Sequence, residues 1–292
     1  MNEQMLDINE KREKNRKFLM NIRNLPSIPL VMMEAQKRLE NPKTSAADLG
    51  KLISKDQGLV AKILAVANSP LYGLPRRVST IEFAIVILGF DHIKNIVIAL
   101  SMIEAFKNET DKNWDRKAYW THSLMTASAS KRIADDLGYN KTGEAFTAGL
   151  LHDLGIAVIQ RYFKKEFDEI CLQVEEQGMR HTNAEMQLLG LGHSEMGQIL
   201  ADKWNLPKIL GETIIHHHLP SGSENNKVLC SIVHLADYMT QRLQVGSFSW
   251  DENMELDTNI LQILNLGDAI YLDRFIQSYE SLFKSQLETL TI

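Results

Sequence analysis

Six of the chain's nine histidines, His122, His152, His193, His217, His218 and His234, lie in strongly patterned helical sequence. The sharpest element is AGLLHDLG, Ala148 to Gly155, an apolar helical run that ends in the imidazole of His152 beside the carboxylate of Asp153. Such a pair is costly to bury without compensation. A divalent cation compensates both groups, because it accepts neutral imidazole nitrogen and carboxylate oxygen together, and one carboxylate can bridge two ions. Adjacent helical residues diverge by about 100°, so His152 and Asp153 suit neighbouring ions better than one ion gripped twice. The other ligands must come from elsewhere, and the candidates are His122 in YWTHSL, His193 in GHSEMG, His217 and His218 in IIHHHLP, and Asp237 in VHLADYM. Mixed imidazole and carboxylate ligation points to one or two ions of iron, manganese, nickel or zinc rather than calcium or magnesium. His92, His181 and His216 read as core or boundary histidines. His234 shares a helix face with Asp237 and either orients it or belongs to the core.

The elements that must position these groups carry the helical period almost throughout, which makes the fold class all-α. Apolar residues recur at three and four from Leu30 to Leu39, behind Pro29. Ser45 with Asp48 opens a second stripe, and Leu59 to Val66 forms a third, stopped by Asn68, Ser69 and Pro70. Ser79 and Glu82 are spaced as a capping box for a helix over Thr80 to Leu88, and Asp91 caps the next. The apolar stretch Ile96 to Ile103 reads as buried helix. Polar residues 107–117 read as a surface connection between two helical lobes that share one continuous core, the second beginning near Lys117. Helical pattern resumes to about Leu243, and a last amphipathic helix is expected from about Asp268 to Leu287. The expected domain plan is an N-terminal helical extension over 1–20, a main domain over 21–245 with lobes at 21–105 and 117–245, and a C-terminal helical extension over 246–292.

Composition narrows the function classes. A formal charge of −5 in 292 residues argues against a dedicated nucleic-acid binder, since phosphate rewards a basic face. The one basic cluster, Lys11, Arg12, Lys14, Arg16 and Lys17, reads as a solvated helix face. Cys171 and Cys230 lack CxxC spacing and read as buried small apolar side chains. No apolar run has the length of a membrane span and the first residues lack a signal peptide's apolar stretch, so no membrane is expected and the compartment is expected to be cytoplasmic.

Taken in order, His122, His152-Asp153, His193, His217-His218 and Asp237 resemble the ligand series of the HD superfamily of metal-dependent phosphohydrolases, and EAFTAGLLHDLG, Glu144 to Gly155, is particularly similar. The leading half, LPSIPLVMMEAQKRLENP and then LGKLISKDQGLVAKILAVANSPLYGLPRRVSTIEFAIVILGF, resembles the HDOD family, with the match running from about Leu25 to Pro220. That resemblance implies a bacterial regulatory module, the second lobe an HD-like helical bundle, whose partners are signalling proteins: response regulators, kinases or cyclic-di-GMP modules. It also admits a homodimer. The ligand series is fuller than HDOD proteins commonly keep and is similar to that of the HD-GYP phosphodiesterases. Asp153 would then be both ligand and catalytic residue. The double histidine is ambiguous by one position because His216 makes a run of three, with Leu219 and Pro220 favouring His217 and His218. Two features depart from the hydrolases. Ile156 stands where they carry a phosphate-meeting lysine, and LPSGSENNKV stands where their Gly-Tyr-Pro loop should follow. The resemblance therefore implies a regulatory module with a retained metal site, weakly active or inactive; the alternative is a metal-dependent phosphodiesterase acting on nucleotides or cyclic dinucleotides.

Overall fold

Apolar stripes repeatedly interrupted by glycine, proline or a capping side chain give a succession of mostly short helices. The computed structural model describes residues 2–22, 34, 37, 38, 41, 43–105, 111–251 and 254–290. The stripe expected from Leu30 to Leu39 lies largely outside the described residues. Helix α1 spans Asn2–Asn21. Ser45 opens α2 (Ala46–Ile53) with a full capping box, its Oγ accepting the Asp48 N–H while Asp48 accepts the Ser45 N–H. Asp56 caps α3 (Gln57–Ala67), and α4 (Ile81–Leu88) and α5 (Phe90–Ala105) follow. The α4 cap is Thr80 rather than Ser79: Thr80 immediately precedes the buried Ile81, and its hydroxyl accepts the Phe83 N–H. Asp91 sits inside the first turn of α5 instead of ahead of it, where its charge still faces the positive end of the helix dipole.

The second half contains α6 (Arg116–Asp136), α7 (Thr142–Leu151), α8 (Leu154–Tyr162), α9 (Lys164–Gln177), α10 (His181–Leu189), α11 (His193–Lys203), α12 (Lys208–His216) and α13 (Lys227–Arg242). After α14 (Ile260–Ile263), the expected final helix is two: α15 (Ala269–Ser278), capped by Asp268, and α16 (Glu280–Leu290). The turn between them falls at buried Tyr279, whose hydroxyl donates to Asp136 on α6. Among the described residues there is no strand, and one isolated bridge pairs Asp111 with Trp114. That bridge lies in the polar connection, where Trp114 is buried against Tyr119, Phe167 and Phe248 rather than solvated.

The buried apolar residues form two clusters. The larger runs from Leu49 through α6, α7 and α13 to Phe283, joining the leading helices to much of the second half. The smaller gathers α8, α9, α10 and α11 around Phe167 and Trp250. Trp204 packs against both and links them. The N-terminal helix docks instead of standing free: Leu19 is buried, Asn15 donates to the Leu189 carbonyl, and Arg12 of the basic cluster pairs with Glu195 of α11. Among the described residues no single helix is long and apolar enough to cross a membrane.

Candidate metal centre

Two close helix crossings create the centre, and each requires a glycine. A Cβ on Gly149 of α7 would stand 2.9 Å from Ala127 Cα and the Thr126 carbonyl of α6, so only glycine lets α7 approach the helix that carries His122. A Cβ on Gly155 of α8 would stand 1.8 Å from the His193 carbonyl oxygen at the start of α11. His152 and Asp153 occupy the break between α7 and α8, and His217 and His218 follow the end of α12. Only His122 and Asp237 project from helix interiors. Helix ends are where backbone direction changes, which allows adjacent side chains such as His152 and Asp153 to enter one space.

In four of the five rings an outward Nδ1 meets an acceptor. Nδ1 of His152 donates to the Gly149 carbonyl at 2.7 Å, Nδ1 of His217 to the Ile214 carbonyl at 2.6 Å, and Nδ1 of His122 to the Gly246 carbonyl at 3.0 Å. Nδ1 of His193 lies 2.8 Å from Glu185 Oε1. Carbonyl and carboxylate oxygens only accept, so each of these four Nδ1 atoms holds a proton and Nε2 is the atom each ring turns inward. Those inward nitrogens face one another: His122 and His152 at 3.3 Å, His193 and His217 at 3.4 Å, His193 and His218 at 2.9 Å. Where two such nitrogens meet, a positive charge between them, a proton or a metal ion, is needed.

The groups fall into two sets that share Asp153. Its Oδ2 is 3.3 Å from His152 Nε2 and 3.5 Å from His122 Nε2, and Asp237 Oδ1 completes this set 3.3 Å from His122. Its Oδ1 is 3.5 Å from His217 Nε2 and 3.6 Å from His193 Nε2, in the set that contains His218. Donors about 2.1 Å from a common ion stand roughly 3.0 Å apart in octahedral and roughly 3.4 Å apart in tetrahedral ligation. Most of the observed spacings lie close to these values, from 2.9 Å between His193 and His218 to 3.6 Å between His193 and Asp153, with 3.9 Å between His152 Nε2 and Asp237 Oδ1 the widest given. The three-histidine set and the His122, His152, Asp237 set are therefore groups that could each hold an ion, with Asp153 placed between them.

Electrostatics agree with that fit. Asp153 and Asp237 are 0% exposed, and among the described residues none of their four carboxylate oxygens has a hydrogen-bond donor of good geometry. Burial would push both carboxyls up, but His152, His122 and His217 hold Asp153 well below the usual carboxylate range, and His122 and His152 hold Asp237 below it. Burial likewise opposes charge on His122, yet Asp153 and Asp237 outweigh it and raise its pKa well above that of free imidazole. Burial drives His217 down and His218 well down, so those rings stay neutral. Before any ion binds, the two carboxylates thus hold a proton on His122; a divalent ion would replace it.

All seven predicted residues, His122, His152, Asp153, His193, His217, His218 and Asp237, meet in this one place. His216 does not, its ring lying against Gly222. His92 bonds Tyr72 Oη at 2.6 Å and His181 stacks on Trp250, both away from the cluster. His234 does not orient Asp237: its Nδ1 donates to the His217 carbonyl at 2.7 Å and its Nε2 accepts the Asp257 N–H at 2.9 Å. Ile156 is fully buried in the smaller apolar cluster and Arg161 lies over the Tyr162 ring on the exposed last turn of α8, so neither supplies a cation beside Asp153. The segment after His218 is pinned. Glu212 accepts from Ser223 Oγ, the Asn225 and Asn226 N–H groups and Asn226 Nδ2, and Asp257 accepts the Ser221 N–H. Sequence reasoning missed Glu185 and Gly246 because no spacing within a turn or two links them to His193 and His122, the groups they support.

The chain is 27% identical over 271 residues to an uncharacterized protein of Treponema pallidum (strain Nichols), an alignment covering 91% of this chain and 51% of that one. It thus spans about half the length of that curated relative. Among solved structures, an HDOD domain protein with unknown function from Geobacter sulfurreducens aligns with a TM-score of 0.76 at 25% identity, covering 97% of this chain and 99% of that one. A protein from Shewanella amazonensis SB2B, described as a candidate phosphohydrolase, shares the fold with a TM-score of 0.69 at 24% identity over 91% of this chain and 95% of that one. The profile of the HDOD domain matches residues 25–220, more than half of the chain. Residues 25–220 also hold six of the seven clustered groups, all but Asp237, and on that match the chain belongs to the HDOD family.

Proposed function

We propose that this chain is a regulatory signalling module whose second half is locked around a two-metal centre, and that it acts by presenting a helical surface to protein partners. One observation carries the metal half of this reading: inward Nε2 atoms and carboxylate oxygens face one another at ligand spacing, with no donor of good geometry to the two carboxylates among the described residues. Iron, manganese, nickel or zinc suits that donor set, with His122, His152, Asp237 and one oxygen of Asp153 around one ion, and His193, His217, His218 and the other oxygen of Asp153 around the second. Such ions, when bound, would supply charge neutralisation and rigid cross-links between five helical segments.

The regulatory half is supported by closure. Six of the seven groups are at most 1% exposed, and His218 alone is half-buried. The segment that would have to open beside His218 is fastened to Glu212 and Asp257, and Ile156 presents no phosphate-binding charge. Response regulators, kinases or cyclic-di-GMP modules are the proposed partner classes, with a cytoplasmic setting and no role for nucleic acid or membrane. A homodimer fits the same reading. The proposed domain plan keeps the main HDOD domain at 21–245, flanked by helical extensions.

The opposing reading is a phosphodiesterase in which the metals generate the nucleophile. The test is elemental analysis of chain purified without chelator, followed by assay against cyclic and linear dinucleotides and a generic phosphodiester, with Asp153→Ala as blank. Two ions per chain without turnover is the expected result. Turnover above about 1 per second that disappears in Asp153→Ala would make the chain an enzyme, and a metal-free protein would remove the two-metal centre.

A further inference from the structure

His193 is the only ring among those with a resolved Nδ1 contact that uses a carboxylate; His122, His152 and His217 use main-chain carbonyls. The carboxylate is Glu185, which is 0% exposed on α10 and eight residues before its partner, across the turn at Gly190. Its two oxygens are fully engaged. Oε1 is 2.8 Å from His193 Nδ1 and accepts from Trp250 Nε1 at 2.5 Å, while Oε2 accepts the His193 backbone N–H at 2.7 Å. No lysine or arginine contacts it among the described residues. A buried carboxylate without a cationic partner is costly, and here the compensation is directed almost wholly at one metal-ligand candidate.

Resting on the two-metal reading above, we propose that Glu185 is the positioning residue of the three-histidine site and makes that site the tighter of the two. The physical argument has two steps. Gripping both Nδ1–H and the backbone N–H of His193 fixes the ring about two axes, so its Nε2 lone pair stays aimed at His217, His218 and Asp153 Oδ1 without further ordering cost. A carboxylate acceptor also polarises the Nδ1–H bond more than a carbonyl does, which raises the basicity of Nε2 toward a cation. Trp250 holds Glu185 in turn: its indole stacks on Phe167 at 4.9 Å and 15°, so the donor to Oε1 is itself fixed. In the other set the Nδ1 contacts of His122 and His152 are, among the described residues, main-chain carbonyls and the Thr240 hydroxyl, with no carboxylate behind either ring.

The experiment is a cobalt(II) titration of the full chain, freed of metal beforehand, reading stoichiometry, affinity by chelator competition, and the visible d–d absorption. His218→Ala, lacking one ligand of the three-histidine set, supplies the one-ion reference spectrum. In Glu185→Gln, which keeps an acceptor but removes the charge, the three-histidine site should weaken about 10- to 100-fold while the other site keeps its wild-type affinity and spectrum. Glu185→Asp should recover part of that loss, and Trp250→Phe, which keeps the stack but removes the donor that holds Oε1, should weaken the same site by a smaller factor than Glu185→Gln and leave the other site unchanged. Should Glu185→Gln fail to fold, the Asp and Phe variants decide alone. Equal weakening of both sites, or an unchanged titration in Glu185→Gln beside a two-ion wild type, overturns the positioning role and leaves the two-metal reading standing. A wild type that takes up no cobalt removes both.

Discussion

Gly155→Ala tests the crossing on which the centre depends. The added Cβ would stand 1.8 Å from the His193 carbonyl oxygen, 2.5 Å from its carbonyl carbon and 2.9 Å from Gly197 N. All three are main-chain atoms of α11, so no side chain can rotate away. An ordinary carbon–oxygen approach of about 3.3 Å requires α8 and α11 to separate by roughly 1.5 Å. Overpacking of this kind costs about 1 to 3 kcal/mol, which for a chain of this size lowers the melting temperature by roughly 2 to 12 °C. The geometric effect is larger than the energetic one. Asp153 precedes Gly155 by two residues and His193 is the contacted residue, so the separation adds directly to the 3.6 Å between Asp153 Oδ1 and His193 Nε2. The set built from His122, His152 and Asp237 does not cross this contact. Calorimetry and metal analysis of the same preparation should therefore show a modest loss of stability with a fall from two ions to one. An alanine variant with wild-type melting and two ions would refute the argument that this crossing sets the site.

Asp153→Ala, which deletes the group common to both sets, should reduce metal content more than Asp237→Ala, which touches one set; equal stoichiometry in the two variants would show that Asp153 is not shared. Because Asp153 and Asp237 raise the His122 pKa, metal binding at neutral pH should release about one proton, and affinity should rise with pH. Calorimetric titration in two buffers of different ionisation enthalpy measures this, and identical heats would contradict it. His92, buried beside Lys131, has its pKa lowered to about 4, so the unfolded state binds the extra proton between that value and about 6.5. Stability should fall as pH drops through that window, by up to roughly 3 kcal/mol, and level off below it. Urea unfolding of His92→Gln should show a shallower decline over the same range, and parallel curves would exclude the effect.

Much of the chemistry is legible in the sequence because it is local. The end of an apolar helix at His152-Asp153, the pattern of His122 and Asp237 on long helices, and the Ser45-Asp48 cap all follow from residue spacing within a turn or two. The resemblance of the leading half selects the family, and the loss of a cation at Ile156 is visible at once. What spacing cannot supply is how separate helices meet. The crossings at Gly149 and Gly155, together with the packing of α13 on α6 and of α12 on α11, bring residues from 122 to 237 into one cluster, and only the assembled rings show that the outward Nδ1 atoms take protons and leave the Nε2 atoms facing inward. The same holds for His234, which shares a helix face with Asp237 yet serves His217, and for the final helix, which Tyr279 breaks to reach Asp136. A helix face fixes the direction in which a side chain leaves the backbone; its partner is whatever the packing of other helices places there. For a buried polar group the partner decides the free energy, and with it the function.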